Sequence, residues 1–297
     1  EKNSLVGIYM DNRIEWIQVF WAILMAGYRP LLMNKRLSED RLEHIIKQHD
    51  VRVVVTDDKK FSCKNIEFEK LYKESEELKE AEWADEILLM TSGTSLNVKL
   101  CSYRGKSFCQ QIYNSGDIIK RNNLIKAHYE GHLKLLTFLP FYHIFGLVAL
   151  YMWFAFFSRT FVLLKDLSGE TVLNTIKKHK VTHLFAVPMV WEKVESLAKK
   201  KIASKGEKVE KKFYKGLRIS NNLQKICPSL GRKVAKKLFK EVRQGLFGDC
   251  VQFLISGGGA VSKSTLEFFN GIGYRLADGY GMTEIGITSV ELSNKPK

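Results

Sequence analysis

Short apolar runs rich in β-branched residues alternate along this 297-residue sequence with segments whose apolar positions recur every three to four residues. That alternation restricts the possible folds more than any other feature. Ser4 to Met10 reads as a strand, and Ile14 to Ala26 follows at helical spacing and stops at Gly27. Ser38 is placed to cap a second helix, with Glu39 and Asp40 near its positive end and Leu42, Ile45 and Ile46 on one apolar face. Strand-like runs return at Val51 to Thr56, Glu86 to Met90, Leu133 to Leu139, Thr160 to Leu164, His183 to Val187 and Cys250 to Ser256. Strands separated by helices predict an α/β chain with mostly parallel sheets covered on both faces. A hydrophobic content of 45% supplies a large core. No fixed-period repeat or Pro- or Ser-rich linker divides the chain, so we expect one large domain with sub-lobes at roughly 1–165 and 166–297.

The chain carries 47 Lys and Arg against 32 Asp and Glu, a formal net charge of +15. Such an excess favours anionic partners: nucleotides, CoA, carboxylates, membrane surfaces or nucleic acid. Nucleic acid is not expected, because the aromatics form no RNA-binding motif and the basic residues concentrate between Lys199 and Lys240. Within that stretch Leu230, Val234, Leu238 and Val242 are spaced by four, which predicts a basic amphipathic helix. Inward packing of this stripe is the expectation, and contact with a membrane surface is the alternative. The 13 residues from Phe145 to Phe157 are apolar but fall short of the roughly 20 that span a bilayer, so a buried helix is expected there. Cys63, Cys101, Cys109, Cys227 and Cys250 are scattered without a CxxC pair, which suits a reducing cytosol. No basic leader precedes the first strand-like run, and no targeting peptide is expected.

Three segments have the residue types of a nucleotide site. Thr91-Ser92-Gly93-Thr94-Ser95-Leu96-Asn97-Val98-Lys99 follows the strand-like run Glu86 to Met90. Its hydroxyls and main-chain N–H groups can cradle phosphate, Gly93 permits close approach, and Lys99 adds positive charge. It is not a Walker A loop, because Val98 and Leu100 stand where that pattern needs Gly and a hydroxyl. An ordinary Ser/Thr/Gly turn would look similar. In Leu139-Pro140-Phe141-Tyr142-His143-Ile144-Phe145-Gly146-Leu147, a strand end meets the long apolar helix, and His143 is either a packing residue or a substrate-orienting one. The third segment pairs two turns. Ser256-Gly257-Gly258-Gly259-Ala260 follows one strand, and Asp278-Gly279-Tyr280-Gly281-Met282-Thr283-Glu284 follows the next, expected at Gly273 to Ala277. Ligands of open α/β sheets bind at such strand ends. Tyr280 offers a flat ring to a base, Thr283 a phosphate donor, and Glu284 a carboxylate for Mg²⁺.

In this order the segments TSGTSLNVK, LPFYHIFGL, ISGGGAVS and DGYGMTE resemble the core motifs of the AMP-forming, adenylate-forming superfamily, and the resemblance covers almost the whole chain. Ile14-Glu15-Trp16, Ala26-Gly27-Tyr28-Arg29-Pro30 and Asn34-Lys35-Arg36-Leu37 extend it to the opening. The basic insert before Phe253 looks most like that of medium- to long-chain fatty acyl-CoA synthetases. Carried over position by position, the resemblance implies that Thr91, Ser92, Gly93, Thr94, Ser95 and Lys99 surround the ATP phosphates. Tyr280, between Gly279 and Gly281, would stack on adenine. Asp278 and the backbone of Gly257, Gly258 and Gly259 would line the adenine and acyl pockets, Thr283 would meet the α-phosphate, Glu284 would bind Mg²⁺, and His143 would stand near the carboxylate.

The implied activity is conversion of a fatty acid to acyl-AMP at the expense of ATP, followed by transfer to CoA. Transfer to an acyl carrier protein thiol, or binding of nucleotide and acyl group without catalysis, are the alternatives. A cytoplasmic enzyme, peripheral at most on the inner membrane face, is implied. Leu96, Val98 and Leu100 replace the family's Gly, Pro and Gly, so the phosphate-facing backbone is expected to differ. The resemblance further implies an N-terminal AMP-binding domain incomplete at both ends. The ribose-binding Asp, the hinge and the C-terminal domain with its catalytic lysine would lie outside residues 1–297.

Overall fold

A computed structural model describes residues 2–71, 82–91, 98–121, 126 and 131–291. The chain forms two compact units, one from Glu1–Ser115, Pro140–Trp153 and Met282–Gly286, the other from Gly116–Leu139, Phe154–Gly281 and Ile287–Lys297. The units interleave along the sequence and are not the two consecutive stretches expected to meet near residue 165.

In the first unit the opening run becomes strand β1 (Leu5–Tyr9), buried at every residue. Burial on both faces is what a central parallel strand requires. It lies between β2 (Arg29–Leu32) and β3 (Val53–Thr56) in a sheet ordered β4-β3-β1-β2-β5-β6, where β4 is Lys64–Glu67, β5 Glu86–Met90 and β6 Leu100–Arg104. All pairings are parallel except β5 with β6. Helix α1 (Ile14–Met25) buries Trp16, Val19, Phe20, Ile23 and Leu24. It ends at Gly27, whose φ of +79 favours glycine. Helix α2 (Glu39–Gln48) buries Leu42, Ile45 and Ile46 as its spacing predicts. Ser38 holds the N-cap backbone position with ψ 156, yet its side chain makes no capping hydrogen bond.

Three strands of this unit escaped the pattern, as did the later strand at Gly286–Val290. β2 contains Pro30, a residue that cannot donate to a ladder. It is tolerated because β1 pairs with it at Val6 while pairing to β5 begins only at Leu31. β4 is an edge strand with no buried residue and no alternation of burial to read. β6 follows the hydroxyl-rich loop directly and leads into α3 (Gly105–Arg121).

The second unit carries a sheet ordered β12-β11-β10-β9-β7-β8: β7 Lys134–Leu136, β8 Thr160–Val162, β9 His183–Ala186, β10 Phe253–Gly257, β11 Leu276–Met282 and β12 Gly286–Val290. β8, β7, β9, β10 and β11 pair in parallel. The run expected as one buried helix is two consecutive pieces, the first of which belongs to the first unit. α4 (Phe145–Met152) has the wide π spacing and is buried from Gly146 to Met152, and α5 (Trp153–Phe156) completes it. α6 (Gly169–His179) is capped by the Ser168 hydroxyl, which accepts from Thr171 N–H at 3.2 Å. α7 (Pro188–Ala203) starts with proline at its first turn and buries Trp191, the centre of an aromatic core with Phe247 and Phe269. Among the described residues no helix is long and apolar enough to cross a membrane.

The basic stretch departs from expectation. It forms α8 (Glu207–Ile226), α9 (Pro228–Leu238) and α10 (Lys240–Gly245), so Val242 lies on a different helix from Leu230. α9 buries Gly231 and Ala235 and leaves Leu230, Val234 and Leu238 exposed, at 50%, 37% and 51%. Close approach decides the orientation. A Cβ on Gly231 would fall 2.7 Å from the backbone N of Gln224 on α8. Only the glycine face lets the two helices meet so tightly, so the larger stripe turns outward. α11 (Lys263–Gly271) completes the unit.

Candidate functional site

At the C-terminal end of β5, Thr91 is buried and forms a two-bonded pair with Lys99. Thr91 N–H donates to the Lys99 carbonyl at 2.9 Å, and Lys99 N–H donates to Thr91 Oγ1 at 3.2 Å. This pair closes the base of the hydroxyl-rich loop where β5 turns into antiparallel β6. Ser92, Gly93, Thr94, Ser95 and Leu96 lie outside the described residues. Val98 and Leu100 pack against the core cluster of Leu31, Leu88 and Met90. Two of the three departures from the family pattern therefore have a packing role: their side chains fasten the loop's exit to the sheet.

The Thr283-Glu284 turn sits in the same unit, fixed against β6. Tyr103 is buried, stands T-shaped against Phe108 with ring centroids 5.9 Å apart, and donates its hydroxyl hydrogen to the Thr283 carbonyl at 2.7 Å. Burial first, then the charges of Cys101 and Glu284, push the Tyr103 hydroxyl up to about 12, so it stays a donor. Gly286, at φ +79, closes the turn; a Cβ there would collide with the side-chain amide of Gln111 on α3. Cys101, two residues before Tyr103, reports both charged neighbours. Its thiol is pushed up by burial and by the Glu284 carboxylate, and the Lys99 ammonium opposes this. Thr91, Lys99, Thr283 and Glu284 are thus arranged around one hairpin. Tyr103 and Gln111 have no signal in the sequence; only the pairing of β6 with β5 brings them into view.

His143 also belongs to this unit, in a turn where its N–H donates to the Pro140 carbonyl at 3.2 Å and its ring lies 4.6 Å from that of Tyr142. Asn12, after β1, accepts the Phe141 N–H at 2.8 Å and holds the turn to the strand ends. Burial first and the Arg36 charge second depress the imidazole to about 4. His143 is therefore neutral near pH 7 and offers a hydrogen bond without a positive charge. A stability consequence follows. Between about 6.5 and 4 the unfolded chain binds a proton that the folded chain refuses, so stability falls as pH drops through that window. The loss from pH 6.5 to 5 should reach up to about 2 kcal/mol, and His143→Gln should reduce the shift of the urea midpoint between those two pH values. An identical pH response in wild type and variant would show the imidazole to be protonated as freely as in the unfolded chain.

The C-terminal ends of β1, β2 and β3 hold a further charged group that sequence reading passed over. Lys35 Nζ lies 3.0 Å from Asp11 Oδ2, 3.1 Å from Asp57 Oδ1 and 3.7 Å from Asp58 Oδ2. Burial works against its charge, but these carboxylates win and raise its pKa. Three strand-end loops are tied by this one ammonium. In the sequence Lys35 stands out only as part of the Asn34-Lys35-Arg36-Leu37 run, because its partners lie some twenty residues away on either side.

The second unit carries the remaining candidates. Gly257 ends β10, Gly258 has φ +81, and Gly259 leaves open space within about van der Waals reach of Pro188. The segment expected to be a loop after a strand at Gly273 to Ala277 is itself strand: β11 runs on through Asp278, Gly279, Tyr280, Gly281 and Met282. Alternating glycines have low strand propensity, but β10 pairs with it at Ser256↔Asp278 and Gly257↔Gly279. A Cβ at Gly279 would come within 3.3 Å of the Ser256 carbonyl. Ser256 Oγ and Asp278 Oδ1 are both buried without a hydrogen-bond partner among the described residues. Burial raises the Asp278 pKa against hydrogen bonds from the Val261 and Gly279 backbone. Two neighbouring polar atoms without protein partners suit a site that a polar ligand completes. Tyr280 is 61% exposed, with its carbonyl accepting from Thr288 Oγ1 at 3.1 Å.

Among the described residues no group of three or more His, Cys, Asp or Glu gathers as metal ligands. That does not decide for or against Mg²⁺, which commonly takes only one or two protein carboxylates and completes its shell with water and phosphate.

Mostly parallel, covered sheets with glycine turns and polar groups at their strand ends define a ligand-holding α/β domain. The chain belongs to the AMP-binding enzyme family, whose model matches residues 1–297. It is similar to long-chain-fatty-acid–CoA ligase 3 of Saccharomyces cerevisiae, 23% identical over 331 residues, covering 93% of this chain and 47% of the yeast protein. It is also similar to the long-chain-fatty-acid–CoA ligase ACSBG2 of Rattus norvegicus, 24% identical over 324 residues, with 94% and 48% covered. The chain spans about half the length of the curated relatives it matches. Among solved structures, o-succinylbenzoate CoA synthetase of Bacillus subtilis in complex with ATP and magnesium ion superimposes with TM-score 0.68 at 20% identity, covering 98% of this chain and 52% of that one. The same enzyme in complex with AMP gives TM-score 0.69 at 19% identity, with 98% and 64% covered. These structural matches show the shared fold, which is the α/β domain with mostly parallel sheets expected from the sequence.

Proposed function

We propose that the full-length protein containing this chain activates a fatty acid with ATP to acyl-AMP and passes the acyl group to CoA. The observation that carries the reading is the Tyr103–Thr283 hydrogen bond, which fixes a hydroxyl and a carboxylate to the strand leaving the Lys99 loop. A fatty acid carboxylate is already ionised at neutral pH, so no general base is needed. A carboxylate oxygen attacks the α-phosphorus, the new O–P bond forms, and the bond to the bridging oxygen breaks as pyrophosphate leaves with the electron pair. Lys99 balances phosphate charge, the Thr283 hydroxyl donates to an α-phosphate oxygen, and neutral His143 orients the acid. Bound through Glu284, Mg²⁺ would supply charge neutralisation at the phosphates. Taken by itself, the second unit offers an exposed Tyr280 ring on which a planar base can stack, and Asp278 with the Gly257 to Gly259 backbone offers polar groups to a ligand. All five cysteines are unpaired, which supports a reducing, cytoplasmic setting.

The test is fatty-acid-dependent exchange of labelled pyrophosphate into ATP by the full-length protein. Exchange across a series of short, medium and long acids is expected for at least one chain length, and its absence from a folded protein that still binds Mg-ATP would overturn the reading. CoA and a carrier protein are then compared as acceptors. The core packing of Val98 and Leu100 favours one other reading, a homologue that binds nucleotide and acyl group without catalysis; ATP binding without exchange would select it.

Tyr103→Phe tests the fastening. Removing one hydrogen bond of ordinary strength, about 1 kcal/mol, should lower the exchange rate roughly three- to tenfold. The loss should appear mainly as a need for more Mg²⁺, with thermal stability little changed. A rate and Mg²⁺ dependence equal to wild type would mean that the turn holds its position without Tyr103.

A further inference from the structure

Seven of the large apolar side chains exposed on this protein lie on the α8–α9 hairpin, and four of them follow its corner and outer edge. Ile226, the last residue of α8, is 84% exposed. Across Cys227, Leu230, Val234 and Leu238 continue along α9 at a spacing of four, which keeps them on one helix face. Leu238 reaches back to α8: its Cδ2 would touch a Cβ at Gly216 at 3.1 Å. The row is held rigidly, because Gly231 seats α9 on the backbone of Gln224, and Ser220 Oγ in turn binds the Gly271 carbonyl at 2.7 Å. These are ordered helix surfaces in a well-packed unit.

The surroundings of the row are basic. Residues 207–238 contain ten Lys and Arg against two acidic residues, Glu207 and Glu210, both in the first turn of α8 and far from the Ile226 corner. Lys225, Lys233, Lys236 and Lys237 are exposed beside the apolar side chains. Partial burial and then the neighbouring Arg243 and Arg232 charges lower the Lys236 pKa, so positive charge is in local excess. A water-facing helix needs no such row, and the same helix offers a second, smaller face that it buries instead.

We propose that the α8–α9 hairpin is a docking surface for an anionic lipid bilayer, with Ile226, Leu230, Val234 and Leu238 entering the headgroup–acyl boundary and the lysines meeting the headgroups. Apolar residues set in a basic field are the composition of an interfacial amphipathic element. Nucleic acid would satisfy the lysines and leave Ile226 and Leu230 in water. An acidic protein surface would have to be apolar at its centre as well, whereas a bilayer presents both features in the required order of depth. The surface does not rest on the acid-activation reading, although an enzyme acting on fatty acids would gain access to membrane-dissolved substrate through it.

The experiment is cosedimentation of the full-length protein with vesicles of phosphatidylcholine alone or mixed with phosphatidylglycerol, without ATP or fatty acid. Binding is expected to the mixed vesicles and to be at least tenfold weaker to phosphatidylcholine alone, and to weaken as salt is raised. Leu230→Asp and the pair Lys233→Glu with Lys237→Glu should each reduce partitioning at least tenfold, with melting temperature and helical circular dichroism preserved because these positions are exposed. Exchange activity without vesicles should be unchanged in them, so failure of docking and failure of the catalytic reading are separable. Absence of binding to mixed vesicles, equal binding to both compositions, or unchanged binding by folded variants would overturn the proposal. So would a Leu230→Asp variant that is monomeric where the wild type is dimeric, since the row would then be a contact between two copies.

Discussion

Glu284→Ala in the full-length protein should, on the proposed acid-activation reading, reduce fatty-acid-dependent pyrophosphate–ATP exchange by about 10²- to 10³-fold, equivalent to roughly 2.7–4 kcal/mol of transition-state stabilisation. The size follows from what the turn contributes. Adenylation needs no proton transfer from the protein, so its rate rests on alignment and on charge at the phosphates, and Glu284 is the one carboxylate in the Thr283-Glu284 turn that Tyr103 fastens to β6. Its own structural cost is small, because the residue is exposed and the turn keeps the Tyr103 bond to the Thr283 carbonyl and the Gly286 seat under Gln111. Glu284→Gln keeps the shape and removes the charge, so it should lose nearly as much as alanine. Both variants should keep wild-type denaturant midpoints, and added Mg²⁺ should restore little of the rate. If Glu284→Gln exchanged at near the wild-type rate, the carboxylate would have no charge role and Mg²⁺ would have to be placed elsewhere.

The parts of this arrangement that the sequence disclosed share a physical character. β1, β5, β9 and β10 were legible because burial on both faces makes a parallel strand a continuous apolar run, which few other structures produce. α1 and α2 were legible because one face of each carries the whole core contact. Thr283, Glu284, His143 and Lys99 were named because their residue types combine with glycine in an uncommon order. What remained hidden depends on pairing at a distance. Tyr103 is an ordinary strand tyrosine until β6 pairs with β5 and the 282–286 turn comes to it. Lys35 acquires meaning only from Asp11 and Asp57, which come from two other strand ends. The DGYGM segment looks like a turn by propensity, and parallel pairing to β10 overrides that. The four-residue spacing matches a helix only as far as Leu238, and the buried row there is Gly231 and Ala235, continued by Phe239 just past the end of α9, one position along from the leucines. Hydrophobicity named the wrong face because the contact with α8 is decided by closeness of backbones, where glycine is worth more than leucine.

The second large effect is on stability, and it lies under the glycine turn of the other unit. Trp191 is 1% exposed, with Phe269 at 5.7 Å and 76° and Phe247 at 6.4 Å and 84°, both edge-to-face. It stands one turn beyond Pro188, at the start of α7, and the same corner backs the glycine turn: Cβ atoms built at Gly258 and Gly259 would lie 3.7 Å from Val187 and 3.6 Å from Pro188. Trp191→Ala should destabilise this unit by about 3–5 kcal/mol, the usual cost of deleting a buried aromatic and leaving its void. That is a large share of the roughly 5–15 kcal/mol that holds a domain together. The expected readings are a lower urea midpoint by circular dichroism and faster amide hydrogen exchange at Gly258 and Gly259, with the Thr91–Lys99 pair in the first unit little affected. Trp191→Phe provides the contrast. The indole Nε1 has no hydrogen-bond partner among the described residues, so phenylalanine removes a buried, unsatisfied donor while keeping most of the ring, and the smaller void should cost only about 1–2 kcal/mol. Equal losses for alanine and phenylalanine would mean that the indole N–H, and not the packed ring, holds the corner. A loss below about 1 kcal/mol for alanine would mean that the neighbouring aromatics close the void, and α7 would then owe its position to the Pro188 turn and not to Trp191.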